Sequence, residues 1–94
     1  MYSILVVVEP RSVNFNYQLV KETLQNFGEV AQVTVASWVL SKQAVIDRGL
    51  SCTKVFQALF ACIDPGDRIA VFELGFDVRL RNSVAGEQKI LDLL

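Results

Sequence analysis

The segment Tyr2-Ser3-Ile4-Leu5-Val6-Val7-Val8 is an almost unbroken apolar run, stopped by Glu9-Pro10. A run this short and this rich in β-branched residues predicts a strand covered on both faces, because a solvent-facing side would bring in a polar residue at every second position. Such a strand belongs in the middle of a sheet. Pro10 has no backbone donor and holds Glu9 extended, so the strand ends there with a carboxylate at its carboxyl tip.

Arg11-Ser12-Val13-Asn14 then reads as a polar loop, with Asn14 or Asn16 available to cap a helix. In that helix Tyr17, Val20, Leu24 and Phe27 form one apolar stripe, Lys21, Glu22 and Gln25 face water, and Gly28 stands where a left-handed residue closes a helix. Val30, Val33, Val35, Val39 and Leu40 make two short β-prone runs, a hairpin or one long bent strand, divided near Ala36-Ser37. Trp38 is large enough to anchor a helix against the sheet. Ser41 to Leu50 is mixed in character, with Asp47-Arg48-Gly49 reading as a loop. Ser51 is a cap for a second helix, whose broad apolar face is Cys52, Val55, Phe56, Leu59, Phe60 and Ile63. Asp64-Pro65-Gly66-Asp67 is a turn, and Arg68 opens a further apolar strand from Ile69 to Leu74, closed by Gly75.

The order strand, helix, strand, strand, helix, strand lets both helices cover one face of an antiparallel sheet. This predicts an α+β fold, the ferredoxin-like βαββαβ arrangement over residues 1–75, with the opening strand central. Residues 76–94 form a carboxyl-terminal extension. Phe76, Val78 and Leu80 alternate with charges as an edge strand would, and Val84, Glu87, Leu91 and Leu94, with Ile90 beside them, share a helical stripe that Gly86 weakens. So apolar a tail packs on its own sheet or crosses to a partner.

With 94 residues there is material for one small domain, and a composition that is 52% hydrophobic, with six phenylalanines, makes a subunit interface the simplest place for the excess. Nine basic and ten acidic residues give a formal charge of −1, which supplies no global field for nucleic acid or anionic lipid. There is no histidine, and Cys52 and Cys62 do not have the spacing of a zinc knuckle; they read as buried thiols of a reducing compartment. No run approaches the length that spans a bilayer and the start lacks a signal-peptide pattern, so the expectation is a cytoplasmic protein without membrane contact.

Several strings together resemble a family. They are the first strand ending at Glu9, Ser37-Trp38-Val39-Leu40-Ser41, and Ile63-Asp64-Pro65-Gly66-Asp67-Arg68-Ile69 leading into Val71-Phe72-Glu73-Leu74-Gly75. Over roughly residues 2 to 75 the chain resembles the small Cas2-like proteins, in the branch near the VapD and SinR-like groups. The resemblance implies a ferredoxin-like subunit in a homodimer, often completed by carboxyl-terminal strands. The family includes metal-dependent endonucleases acting on RNA or DNA, toxin-like ribonucleases, and proteins of antiviral defence that hold DNA beside an integrase. In its nuclease members an aspartate at the tip of the first strand stands near its two-fold mate, and the pair is proposed to bind a divalent cation. Glu9 occupies that position with one methylene more, so the resemblance implies Glu9 as catalytic and metal-binding residue, with Mg2+ as cofactor.

Each further candidate has two readings. Arg11 meets a phosphate through its planar fork or is a solvated loop charge. Ser37 orients a phosphate or water near Glu9, or caps the hairpin. Trp38 stacks on a base or packs in the core. Glu73 pairs with Arg68 or Arg79, or faces a dimer interface, while Asp64 and Asp67 cap backbone donors of their own turn. Arg79 and Arg81, with Lys89, line a nucleic-acid groove or form the wet side of an edge strand. The leading expectation is a homodimeric, nucleic-acid-associated Cas2-like protein with a metal-dependent endonuclease activity open to test. The alternative is a non-enzymatic protein-interaction module of a phage or mobile element that binds a larger nucleoprotein partner.

Overall fold

The computed structural model describes residues 2–75 and 78–94. Along the described chain run β1 (Ile4–Glu9), α1 (Tyr17–Gln25), β2 (Val30–Thr34), β3 (Ser37–Leu40), α2 (Lys42–Arg48), α3 (Cys52–Phe60), β4 (Arg68–Glu73) and α4 (Glu87–Leu93). The architecture is α+β, with four antiparallel strands in the order β2-β3-β1-β4. Thus β1 is central, between β3 (Val6 opposite Trp38) and β4 (Val6 opposite Val71). β2 and β3 form a hairpin whose register slips between Gln32 and Thr34, and Val35 is left exposed in the turn.

The two faces of the sheet are covered by different parts of the chain. Ile4, Val6 and Val8 are fully buried against Val20 and Leu24 of α1 and Val55 and Leu59 of α3, with Trp38 and Leu40 completing that core. Val20, Leu24, Val55 and Leu59 are each 0% exposed, and burial of such a side chain contributes about 1.5–3 kcal/mol. On the opposite face Leu5 and Val33 are half-buried beneath Ile90 and Leu93 of α4, together with Leu80. β1 is therefore covered on both sides, more tightly by the helices that precede residue 75 than by the tail.

The caps explain where the helices begin. Asn16 accepts from the Leu19 N–H at 2.9 Å, Ser41 from Ala44 at 3.1 Å and Ser51 from Lys54 at 3.1 Å, each satisfying a donor with no partner inside its helix. α2 departs from the sequence expectation: Asp47 and Arg48 are its last turn, and Gly49, at φ 58°, closes it in the left-handed region. Seven residues burying only Ala44 and Val45 carry too little periodicity to announce a helix. α3 in turn stops at Phe60, short of Ile63, and Cys62 sits in the turn that follows.

The tail also differs from its expected form. Phe76 and Asp77 lie outside the described residues, and Val78 to Leu80 form no strand ladder. Val84 and Ala85 instead donate their N–H groups to the carbonyls of Val33 and Gln32, at 3.0 and 2.9 Å, along the outer edge of β2. α4 begins only after Gly86, which rotates the buried stripe: Ile90 and Leu93 are inside, whereas Val84 and Leu91 are 61% and 46% exposed. The described part of the tail thus packs on its own sheet.

Candidate functional site

At the carboxyl tip of β1 three connections converge. Val7 lies opposite Ser37, the Val8 N–H donates to the Ala36 carbonyl at 2.9 Å, and Glu9 lies opposite Arg68. The hairpin turn, the loop after Pro10 and the turn before β4 therefore share one end of the sheet. Asp67 holds two of them together. Its Oδ1 accepts the backbone N–H groups of Arg11 (2.7 Å) and Ser12 (2.9 Å), its Oδ2 accepts that of Asp64 (3.0 Å), and the Ser12 hydroxyl reaches both oxygens at 3.1 Å. Capping within the turn was legible from Asp64-Pro65-Gly66-Asp67; the bridge to residues 11 and 12, more than fifty positions away, was not.

The Arg11 N–H, foremost among these donors, holds the Asp67 carboxyl below the usual carboxylate range, against the opposing effect of burial. A group whose folded-state pKa is depressed stabilises the fold fully above its unfolded value, about 3.9, and loses that contribution as pH falls through the folded value. Asp67→Ala is accordingly expected to lower the thermal midpoint by several degrees at neutral pH. It should also flatten the acid limb of the stability curve below about pH 4. Thermal melts of both proteins across that range check it, and parallel acid limbs would disprove it.

Glu9 is more than half exposed and faces two cations, Arg68 at 3.4 Å and Arg11 at 3.9 Å. Exposed pairs of this kind contribute about 0–1 kcal/mol. Ser37 is 5% exposed and bonded within its hairpin, its hydroxyl 2.6 Å from that of Thr34 and 3.1 Å from the Thr34 N–H. Trp38, 1% exposed, is a core residue out of reach of a base. Arg79 and Arg81 flank Leu80 in the tail, and neither is among the ion-pair partners found for Glu9. Glu73 lies opposite Ile4, at the other end of β4 from Glu9. Among the described residues no group of three or more acidic, cysteine or histidine side chains comes together to hold a metal. Asp67, in the turn before β4, has both oxygens engaged by donors. One carboxylate per chain, already facing two guanidinium groups, is a thin cation site.

A second surface, unseen in the sequence, lies along β4 and α3. A groove of about 540 Å³ is lined by Phe56, Phe60, Ile63, Pro65, Arg68 and Ile69. A neighbouring hollow of about 370 Å³, with Cys52, Thr53, Ala70 and Val71, shares Phe56 with it. Phe56 and Phe60 stack edge to face with centroids 5.1 Å apart. Phe60 is 59% exposed and Phe72 is 51% exposed. The Cys52 thiol at this rim is pushed up by partial burial and then by the charge of Glu73, which makes it a poor nucleophile. Periodicity had placed Phe56 and Phe60 on one broad apolar face of a helix, but which part of that face the sheet covers depends on the tertiary packing.

Compared with family models the chain matches none, and no curated protein matches it closely enough to count as a relative.

Proposed function

We propose that this chain is a ferredoxin-like subunit whose work is to bind another protein chain along the β4 and α3 edge, without bond-breaking chemistry of its own. The observation that carries the reading is exposed aromatic surface on both sides of β4, Phe60 on the α3 side and Phe72 on the other, beside a strand that has no neighbour on its outer side among the described residues. Solvated apolar surface next to unpaired backbone groups is the combination that strand addition satisfies, since hydrogen bonds give affinity and the flanking pockets give selectivity. A formal charge of −1 and the pairing of Glu9 with Arg11 and Arg68 support the same reading.

The test is a photo-crosslinking side chain at position 60, compared with one at the exposed Gln18 on α1, in the cell of origin. A protein adduct at 60 that is missing at 18 is expected. Equal labelling at both positions, or adducts to nucleic acid alone, would overturn the reading.

A second reading rests on the two guanidinium groups that Arg11 and Arg68 hold beside Glu9 at one end of the sheet. In a Cas2-like nuclease these would position a phosphate while Glu9 from two subunits held Mg2+. That reading predicts DNA or RNA binding that weakens steeply with salt, and divalent-dependent cleavage abolished by Glu9→Ala. We expect neither. Glu9→Ala should shift folding stability by no more than about 1 kcal/mol in a denaturant titration, as for an exposed ion pair.

A further inference from the structure

Resting on that reading of the β4 edge, we infer that its occupant is an extended segment of a different protein, added to the sheet as a strand, whose alternate residues run basic, apolar, apolar, basic. The hydrogen-bond pattern shows which groups receive it. The Leu74 N–H donates to the Ser3 carbonyl at 2.9 Å, so by the alternation of an antiparallel ladder Phe72, Ala70 and Arg68 also turn their amides toward β1. Ile69, Val71 and Glu73 turn theirs outward. The opposite edge of the sheet is already engaged, by Val84 and Ala85 on β2.

The two hollows set the apolar pair. Ile69 and Val71 face the helices, and each lines one of the hollows between β4 and α3, with Phe56 shared by both. Residues of an added strand that lie opposite Ile69 and Val71 have their side chains on that same face, roughly 7 Å apart. One side chain therefore enters each hollow. Volumes of about 540 and 370 Å³ accept large apolar groups. The residue between them turns to the other face, beside Ala70 and the exposed ring of Phe72.

Charge sets the ends. Glu73 continues the same face beyond Val71, and its charge is felt by the Cys52 thiol at the rim of the second hollow. Asp64, in the turn before β4, lines the first hollow. Arg68 and Asp67 line that hollow too, but Arg68 is met by Glu9 at 3.4 Å and Asp67 by the backbone donors of Arg11, Ser12 and Asp64. Among the described residues no ion pair is found for Asp64 or Glu73. The groove is thus apolar in its middle with a carboxylate toward each end, and a lysine or arginine two places beyond each apolar residue complements both. A second copy of β4 does not. Paired antiparallel about Ala70, it sets Glu73 of each copy against Asp67 of the other, acid on acid.

Calorimetric titration of the full chain with a seven-residue peptide of blocked ends tests the pattern. The peptide carries lysine at both ends, leucine at its third and fifth positions and threonine elsewhere. Saturable binding is expected. The dissociation constant should rise about tenfold or more when glutamate replaces both lysines, or when the second leucine moves one place and so turns to the other face. The double variant Asp64→Lys with Glu73→Lys should reverse the preference and bind the glutamate-ended peptide more tightly. Both residues are exposed, and circular dichroism melts establish that the variant folds. Absence of binding, or equal binding of the lysine-ended and glutamate-ended peptides, overturns the inference. So does a preference that the double variant leaves unreversed. The crosslink at position 60 separates the two claims: a different protein joined through a segment of this pattern supports both, one joined through another kind of segment, or this same chain, sinks only the pattern, and no protein adduct sinks both.

Discussion

Replacing Trp38 with alanine is expected to cost about 3–5 kcal/mol, the range for removing a large aromatic side chain from a packed core. Trp38 is 1% exposed, sits between Gln32 on β2 and Val6 on β1, and packs in the core beneath α1 and α3. Among the described residues no other fully buried side chain is as large, and the sheet on both sides of β3 limits how far the hole can collapse. Domains of this size are stable by roughly 5–15 kcal/mol, so the loss is a large share of the whole. A urea titration should show a fall in midpoint with unchanged slope, which marks a loss of stability in place of a change in the surface exposed. Trp38→Phe is the control. It keeps an aromatic ring and removes an indole N–H that has no acceptor among the described residues, so its cost should be well below that of alanine. Equal costs for the two variants would refute the packing account.

The second large effect is at Gly28. Its N–H donates to the Gln25 carbonyl at 3.2 Å, its φ is 154°, and a methyl group added there would fall on the Ala44 side chain of α2. Gly28→Ala is expected to cost about 1–3 kcal/mol for overpacking, with roughly 1 kcal/mol more for a backbone conformation that suits glycine. Ala44→Gly in the same chain should return the overpacking part while costing about 1 kcal/mol in helix propensity. Purely additive effects in this double-mutant cycle would show that the two residues do not touch. The sequence had marked Gly28 as a left-handed helix end. Its φ lies far from that region, and the close approach of a helix that periodicity did not reveal is the stronger reason for glycine there.

Expected and observed features at the candidate site divide in the same way. A carboxylate at the end of β1 followed from Glu9-Pro10, and a buried Trp38 from its place in an apolar run. That Glu9 would face Arg68 follows only from the pairing of β1 with β4, which brings together residues 59 positions apart. The sequence leaves the Ser37 hydroxyl between a phosphate and its own hairpin, and in the fold it lies 2.6 Å from the Thr34 hydroxyl.

What the chain determined by local chemistry was its set of elements: apolar runs with β-branched side chains for β1 and β4, three-and-four spacing for α1 and α3, and asparagine and serine caps at their starts. These depend on contacts within a few residues, so they survive in a linear reading. Tertiary structure decided the rest, because burial belongs to pairs of elements and not to one. It determined that the tail would cross to the second face and engage β2, that Asp67 would bind a loop from the other end of the chain, and that β4 would have no strand on its outer side among the described residues.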